Sequence, residues 1–388
     1  MKIAFVTPYY DPQDIRRGSG TFYYMSRELE RQGCEVEYYG PIDAPEPFST
    51  RVLRFITKRI LRKRYLTYLD PAVAHSLGKE LQKQLEGSSV DLVLTNDPGV
   101  AAGLEVEMPV VYYSDVMLPA VISKESISKI VPYADIPILA LKYYKKTIRQ
   151  CLENVRLCVF PAQWLQDEAL KLGAKPEKIR IIPFGANIPD PGASAVESRD
   201  FFRNAAENKV RLLFVGVDWH RKGGDIALQT AELLKEQGLD VTLDLVGVNI
   251  DDLPSYVRCH GLLRKNNPED WQLMDQLYRE SDVFIFPSRS EGSAIVPREA
   301  AAYGLPTLAY RIEGVMSSIA DGKSGVLLPP GTGAERFARE ITDWLDHPER
   351  YKSLSLGARE FFEVNANWAG ISERLIQELI GLMETYNK

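Results

Sequence analysis

The sequence predicts an α/β protein built from two doubly wound, Rossmann-like domains. The chain has 388 residues, which is more than one hydrophobic core usually organises. Short runs rich in β-branched and aromatic residues alternate with segments of helical period, and the alternation occurs twice. Residues 189–195, rich in Pro, Gly and small side chains, separate the two sets. We therefore expect one domain over 1–190 and another over 191–369.

The strands of both sheets are predicted from short, continuously apolar runs, which are typical of parallel sheets covered on both faces. In the first half these runs lie at 2–7, 35–39, 91–95, 110–113, 157–160 and 179–182. In the second half they lie at 210–217, 241–248, 257–261, 283–286, 307–310 and 325–328. Two such sheets meeting at the carboxyl ends of their strands create a cleft in which phosphorylated ligands bind.

Helical periodicity is clearest at 22–32, 334–345 and 349–362. Residues 370–388 carry one apolar stripe, made of Ile371, Leu375, Ile376, Leu379, Ile380 and Met383. This last helix therefore has a face to bury, and we expect it to pack back on the first domain.

Composition excludes several classes of protein. The net charge of -6 argues against a nucleic-acid binder, whose footprint would be basic. The four cysteines form no C-x-x-C pair, which indicates reduced thiols, and none of the four histidines lies at ligand spacing from another. We expect no metal and no cofactor. No apolar run suits a signal peptide or a membrane span, so we expect a cytoplasmic protein.

The strongest chemical signal is the run SEGSAIVPREA at 290–300, directly after a buried-looking strand. Pro297 near a first helical turn predicts a helix N-terminus, which favours an anion. Glu291 lies in the preceding loop and Glu299 within the helix. Carboxylates accept charge-assisted hydrogen bonds, two of them from one vicinal diol, so a sugar is their natural partner. The alternative is a solvated loop residue and a surface helix charge.

These residues resemble the retaining glycosyltransferases of family four, which have the GT-B fold. The resemblance also rests on AAAYGLP at 300–306, DGKSGVL at 321–327, FVGVDWHRKG at 214–223 and IPFGAN at 182–187. It implies that Glu291 contacts the transferred sugar, Glu299 the ribose, and that no metal is required. The loop expected at the sugar comprises Gly292, Ser293, Ala294 and Ile295, and the loop expected at the base carries Gly261, Leu263 and Arg264.

The donor phosphates need fixed cations, because a diphosphate leaving group accumulates charge in the transition state. In the resemblance, Lys222 matches the usual phosphate-binding lysine. One departure is Val217, which stands where the family commonly has Arg. We expect Arg221 or Arg298 to substitute; the alternative for Arg221 is an exposed turn charge.

The first domain offers Gly18, Ser19 and Gly20, whose backbone N–H groups can approach a phosphate or sugar closely. Tyr23 stands where a dinucleotide fingerprint needs its third glycine, so the spacing excludes an NAD site. The alternative is a plain tight turn. The resemblance implies that this loop closes over the donor from the acceptor side.

A second departure from the family is Ser114, where many relatives carry His. Asp115 follows at the carboxyl end of a predicted strand. It is a candidate to bind the donor hexose or to accept the proton of the acceptor. Alternatively, it only caps the next helix.

Residues 51–65 are the feature most relevant to the acceptor. Apolar residues alternate there with Arg51, Arg54, Lys58, Arg59, Arg62, Lys63 and Arg64. A basic amphipathic helix of this kind can lie on an anionic membrane, here the inner face, and meet a lipid-linked acceptor. Equally, it can be a domain helix that packs on the sheet and leaves its basic face in water.

The sequence thus predicts a retaining, metal-independent hexosyltransferase that uses a nucleotide diphosphate sugar, UDP-linked in preference to GDP-mannose. The acceptor is expected to be a hydroxyl of a glycan or of a lipid-linked molecule. Two alternatives stay open: a hydrolysing sugar-nucleotide epimerase with the same two-domain fold, and a sugar-nucleotide binding protein without catalysis. Spacing alone does not identify the base, the hexose or the acceptor.

Overall fold

A computed structural model describes residues 1–115, 136–197, 199 and 207–386, and contacts divide the chain into two units. The first unit comprises Met1–Pro183 and Trp368–Lys388, and the second comprises Phe184–Asn367. The stretch expected as a linker, 189–195, lies inside the second unit.

The first unit is built on a six-stranded parallel sheet of order β2-β1-β3-β4-β5-β6. Its strands are β1 (Lys2–Val6), β2 (Glu35–Tyr39), β3 (Leu92–Thr95), β4 (Val110–Tyr113), β5 (Leu157–Phe160) and β6 (Ile179–Ile181). Strand β1 pairs with β2 on one side and β3 on the other. The winding therefore reverses between β1 and β3, which makes their carboxyl ends a switch point.

Helices cover this sheet and begin with recognisable caps. They are α1 (Thr21–Arg31), α2 (Phe48–Phe55), α3 (Pro71–Leu85), α4 (Pro98–Gly103), α5 (Ile138–Asn154) and α6 (Gln163–Lys171). Asp70 and Asp97 cap α3 and α4, each followed by a proline at the first helical position. A π-helical turn, Ile56–Ile60, continues α2.

The second unit repeats the architecture, with a six-stranded parallel sheet of order β12-β11-β10-β7-β8-β9. Its strands are β7 (Lys209–Val215), β8 (Asp240–Val246), β9 (Val257–Cys259), β10 (Val283–Phe286), β11 (Thr307–Tyr310) and β12 (Gly325–Leu328). Strand β7 lies between β8 and β10, so the switch point of this sheet falls between β7 and β10.

Helices precede, connect and follow the strands of the second unit. They are α7 (Ser194–Glu197), α8 (Trp219–Lys222), α9 (Gly224–Glu236), α10 (Pro268–Glu280), α11 (Val296–Ala302), α12 (Glu313–Met316), α13 (Ala334–Asp346) and α14 (Pro348–Phe361). Helix α15 (Trp368–Tyr386) then returns to the first unit, where Gln32 donates a hydrogen bond of 2.7 Å to the carbonyl of Ala369. Its Ile371, Leu375 and Leu379 are buried.

The predicted fold class is confirmed, and each of the twelve predicted strands is present with ends within two residues. The predictions at β7, β8 and β9 were up to two residues too long, because these strands end before Gly216, Gly247 and Gly261. Within the described residues, no helix has both the length and the apolar composition that crossing a bilayer would require.

Candidate functional site

The loops that follow β7 and β10 meet at the switch point of the second unit. The two strands are parallel neighbours, with Leu212 opposite Val283. Adjacent carboxyl ends at which the winding reverses leave a crevice for ligands. Lys222 lies beyond β7 and Glu291 beyond β10, so the topology brings these two predicted residues together.

Glu291 is held by three donors on one carboxylate oxygen. Its Oε1 lies 2.7 Å from Lys222 Nζ, 2.5 Å from Ser288 Oγ and 3.3 Å from Arg221 Nη1. Because the side chain is only 9% exposed and paired with cations, the alternative of a solvated loop residue is wrong. The contact from Ser288 could not be predicted from the sequence, which shows only that this serine precedes the loop.

The turn that carries both cations is defined by a cap and a glycine. Asp218 begins α8 by accepting a hydrogen bond of 3.2 Å from the backbone N–H of Arg221. Gly223 ends it with φ of 77°, in the left-handed region that glycine favours. A Cβ at Gly223 would lie 2.1 Å from the carbonyl oxygen of Pro287, so this turn packs directly on the end of β10.

Lys222 itself is packed from two sides. Its ammonium lies 5.0 Å from the ring centroid of Phe286, within the range of a cation–π interaction. On the other side, a Cβ at Gly216 would lie 2.8 Å from Cγ of Lys222. The lysine therefore has little freedom to leave Glu291.

A second ion pair joins the same two loops and was not found from the sequence. Arg289 donates two hydrogen bonds of 2.7 Å to Asp225 and one to the carbonyl of His220. The backbone N–H of Arg289 also donates to the carbonyl of Arg221 at 2.8 Å. Burial alone would raise the pKa of Asp225, but the hydrogen bonds from Arg289 outweigh it and hold the pKa below its usual value. This pair fixes the loop that carries Arg221 to the loop that carries Glu291.

The loop expected at the sugar is clamped by α12 and the residues after it. The backbone N–H of Ala294 donates to the carbonyl of Gly314 at 2.7 Å, and Ser318 Oγ donates to the carbonyl of Ala294 at 2.6 Å. A Cβ at Gly314 would lie 2.0 Å from the carbonyl oxygen of Glu291. The hydroxyl of Ser293 is buried and has no hydrogen-bond partner among the residues that the structure describes. Gly292 and Ile295 are half-buried.

Glu299 lies in the first turn of α11 and is buried, at 2% exposed. Its Oε1 accepts from Lys265 Nζ and its Oε2 accepts from the Tyr278 hydroxyl at 3.1 Å. Burial and the Glu299 charge raise the pKa of Tyr278 well above its usual value, so the hydroxyl stays protonated and donates. The alternative of a surface helix charge is therefore wrong.

The residues expected at the base follow β9. Gly261 has φ of 66°, so the chain turns there in the left-handed conformation that glycine favours. Leu263 is half-buried. Arg264 is exposed, and its backbone N–H donates to Asp270 at 2.9 Å. The neighbouring Lys265, which the sequence analysis did not single out, is the cation that reaches Glu299.

The two arginines considered as phosphate partners differ. Arg298 is fully buried, and its guanidinium donates to the carbonyls of Ser317 at 2.7 Å and Asn365 at 3.4 Å. The expectation that Arg298 could contact a phosphate is wrong, because its charge is directed into the packed interior. Arg221 is half-buried beside Glu291, and Val217, where the family has Arg, is 68% exposed.

In the first unit, Gly18, Ser19 and Gly20 form a single turn in which all three have positive φ, at 53°, 56° and 83°. The left-handed conformation is uncommon for a serine, and such outliers concentrate at functional sites. A Cβ at Gly18 would lie 3.4 Å from the Tyr10 hydroxyl oxygen.

The end of β4 carries Ser114, which is buried, and Asp115, which is half-buried. The segment that Asp115 would cap lies outside the described residues. At the neighbouring switch point, the Asn96 amide donates to the Tyr10 hydroxyl at 3.2 Å. Across the described ranges, no group of three or more His, Cys, Asp and Glu side chains could hold a metal ion.

Most of the chain matches models of glycosyltransferase families. A family model described as "Glycosyl transferases group 1" matches residues 196–361, and one described as "Glycosyltransferase Family 4" matches residues 20–188. The chain is 26% identical over 240 residues to a D-inositol 3-phosphate glycosyltransferase of Thermomonospora curvata, covering 55% of this chain and 54% of that protein. It is 31% identical over 213 residues to the protein of that name from Geodermatophilus obscurus, covering 50% and 46%.

These matches span about half the length of the curated relatives. Among solved structures, sucrose-phosphate synthase from Thermosynechococcus elongatus has a TM-score of 0.71 at 17% identity, covering 99% of this chain and 100% of that one. Anabaena HepE in complex with UDP and glucose has a TM-score of 0.63 at 16% identity, covering 98% and 100%. Likeness at these identities concerns the fold.

The two family models match residues 20–188 and 196–361, and each unit contains a six-stranded parallel sheet whose winding reverses at one switch point. The chain therefore belongs to the GT-B glycosyltransferases of family four.

Proposed function

We propose that the protein transfers a hexose from a nucleotide diphosphate sugar to a hydroxyl of a glycan or lipid-linked acceptor, with retention of the anomeric configuration. The observation that carries this is the convergence of Lys222 and Arg221 on Glu291 at the switch point. The similar proteins named above include glycosyltransferases, which supports sugar transfer, and Anabaena HepE in complex with UDP and glucose, which supports a UDP-sugar donor. GDP-mannose is the second choice.

The cations are assigned to the donor diphosphate. Lys222 and Arg221 bring two positive charges to the switch point, where both pair with Glu291 and Arg221 also pairs at 3.3 Å with the more exposed Asp218. A fixed cation stabilises the charge that develops on a leaving phosphate without reorganising during the reaction. We assign the backbone N–H groups of Gly18, Ser19 and Gly20 to phosphate binding as well, and we propose that neither a metal nor a cofactor takes part.

Glu291 is assigned to the sugar as a positioning group, together with Gly292, Ser293, Ala294 and Ile295. A carboxylate oxygen that already accepts from two cations and a hydroxyl is a poor nucleophile. We therefore propose front-face substitution. The acceptor oxygen forms its bond to the anomeric carbon on the face from which the phosphate leaves, and the departing phosphate oxygen helps to take the proton of the acceptor. Asp115 is assigned to the hexose or to that proton.

Glu299 is assigned to the ribose, and the loop of Gly261, Leu263 and Arg264 to the base. The Glu299 carboxylate has about four lone-pair sites, of which Lys265 and Tyr278 use two, so capacity for a vicinal diol remains.

The first test is a thermal-shift panel of UDP-, GDP- and ADP-sugars. A donor at a hundred times its Kd should stabilise the protein by about 2.7 kcal/mol. With that donor, Glu291→Gln should lower kcat roughly a hundredfold while nucleotide binding changes little. The matched control is Glu232→Gln, which changes an exposed glutamate of α9 and should behave like the parent. Equal turnover by Glu291→Gln would remove Glu291 from the mechanism.

The two other functions are separated by product analysis. A hydrolysing epimerase would consume the donor with no acceptor present and release a free, epimerised sugar. A binding protein without catalysis would be stabilised by the donor and consume none. Transfer that requires an acceptor supports the proposal over both.

We also infer that residues 51–65 contact an anionic membrane. The side chains of this segment that pack inward are Leu53, which contacts the hydrophobic core, and the buried Thr57 and Tyr65. The other apolar residues of the segment are exposed, namely Val52, Phe55, Ile56, Ile60 and Leu61, as is Phe48 just before it. A helix packed on the sheet through its apolar face would show the opposite pattern. Exposed apolar and basic side chains on one segment favour an anionic membrane interface.

A further inference from the structure

We propose that Lys265 is a positioning residue through which the site distinguishes a ribonucleotide from its deoxy analogues. The inference rests on the proposed function, because it takes Glu299 as the ligand of the ribose. It adds a residue to which neither the sequence motifs nor the comparisons assign a role.

Lys265 joins three segments of the second unit. Its ammonium donates to the carbonyl of Asn187 at 2.9 Å and to Oε1 of Glu299. Asn187 is fully buried near the start of the unit, Lys265 follows the loop after β9, and Glu299 lies on α11. The lysine is therefore anchored at a backbone atom on one side and aimed at the carboxylate on the other.

Glu299 needs such a partner because of its burial. A carboxylate that is almost inaccessible to water loses its hydration, and this loss is offset only by a cation and hydrogen bonds. Tyr278 supplies one neutral donor to Oε2, and Lys265 supplies the positive charge to Oε1. Each oxygen is thus held by one protein donor, which fixes the plane of the carboxylate.

A fixed, desolvated carboxylate is a selective partner for a diol. When both ribose hydroxyls are present, each can donate to a remaining lone pair. When one hydroxyl is missing, an acceptor is left without its donor in a buried place, and this is the situation in which a site rejects an analogue strongly. Without Lys265 the carboxylate loses both its charge partner and its fixed orientation, so selectivity should fall together with affinity.

The experiment compares UDP and GDP with their 2′-deoxy and 3′-deoxy forms by titration calorimetry. The parent should bind the preferred ribonucleotide roughly tenfold or more tightly than either deoxy form. Lys265→Met should weaken the ribonucleotide by roughly tenfold or more and bring the ribose-to-deoxyribose ratio of Kd values close to one. Lys265→Arg keeps the charge and should restore part of the ratio. The matched control is Lys235→Met, an exposed lysine at the end of α9, which should retain the ratio of the parent.

The ratio separates a positioning role from a purely structural one. If the role of Lys265 is purely structural, Lys265→Met should have a lower unfolding temperature and an unchanged ratio of Kd values. That result would overturn the inference. If Lys265→Met does not fold, Lys265→Gln, which keeps an amide donor but no charge, must show the reduced ratio instead. A parent that binds neither UDP nor GDP overturns the proposed function and this inference with it. If the parent binds a ribonucleotide and the folded Lys265 variants keep the full ribose-to-deoxyribose ratio, the inference is wrong and the proposed function stands.

Discussion

The ammonium of Lys222 and the carboxylate of Glu291 form an ion pair of 2.7 Å in which the side chains are 12% and 9% exposed. A pair so far removed from water is costly to break by removing one partner, because the other charge is left buried. The two residues should therefore be coupled in stability as well as in catalysis.

Lys222→Met should destabilise the protein by roughly 1–3 kcal/mol, as expected when a buried charged group loses a hydrogen-bond partner. The double variant Lys222→Met/Glu291→Gln should be more stable than Lys222→Met, because it removes a buried carboxylate that has lost its nearest cation. Urea unfolding of the parent, both single variants and the double variant measures the coupling. Strictly additive effects would show that Lys222 and Glu291 do not interact.

Gly314→Ala should disturb the sugar loop. Its Cβ would lie 2.0 Å from the carbonyl oxygen of Glu291, so the backbone of one loop must shift. We expect a destabilisation of about 1–3 kcal/mol and a loss of turnover larger than the loss of nucleotide affinity. Gly381→Ala is the matched control, because a Cβ there meets nothing within 4 Å and should stabilise α15 by about 0.5–1 kcal/mol. Unchanged kcat in Gly314→Ala would mean that the clamp does not set the geometry of the loop.

Asp97 should make stability fall as the pH rises. Burial raises the pKa of this helix cap to about 7, above the value of about 3.9 in an unfolded chain. Between these values the folded protein binds more protons than the unfolded one, so the free energy of unfolding decreases with pH in this window.

Asp97→Asn keeps the cap and removes the titration. Its stability relative to the parent should increase from pH 4 to pH 8 by an amount on the order of a few kcal/mol. Measuring the difference between the two proteins cancels the other titrating groups. Asp167→Asn, at an exposed position of α6, is the control for the loss of a surface carboxylate. A flat difference for Asp97→Asn would refute the raised pKa.

The segment 51–65 should recruit the protein to anionic vesicles. In flotation, the parent should rise with phosphatidylglycerol vesicles and not with phosphatidylcholine alone. Reversing Lys58, Arg59 and Lys63 to Glu should abolish recruitment, since each cation near such a surface contributes about 1 kcal/mol. The control reverses Lys79, Lys83 and Lys175, which are exposed elsewhere on the first unit. Absence of the parent from the anionic fraction would exclude the membrane contact.

The sequence predicts features that depend on neighbouring residues better than features that depend on contacts between distant ones. Alternating apolar runs are local, so they located all twelve strands, and strand ends located Glu291 and Lys222. Lys265 and Asp225 were missed because their partners, Glu299 and Arg289, lie far away in sequence and meet only through packing.

Arg298 was misjudged for a related reason. A positive charge close to a candidate anion site suggests a ligand, but the sequence does not show which side of a helix faces the interior. In the structure, the guanidinium of Arg298 is directed to the carbonyl of Ser317. The positive charge at position 298 is evident from the sequence, whereas the orientation of the Arg298 side chain is not.

The return of α15 to the first unit makes the second unit an insertion within the chain of the first. Its two ends lie side by side, since the N–H of Ala186 donates to the carbonyl of Ala366 at 2.7 Å. We therefore expect residues 184–367 to fold as one continuous piece whose two ends are neighbours. A fragment ending at residue 183 would lack α15 and its contact with Gln32. We therefore expect this fragment to be much less stable on its own than residues 184–367.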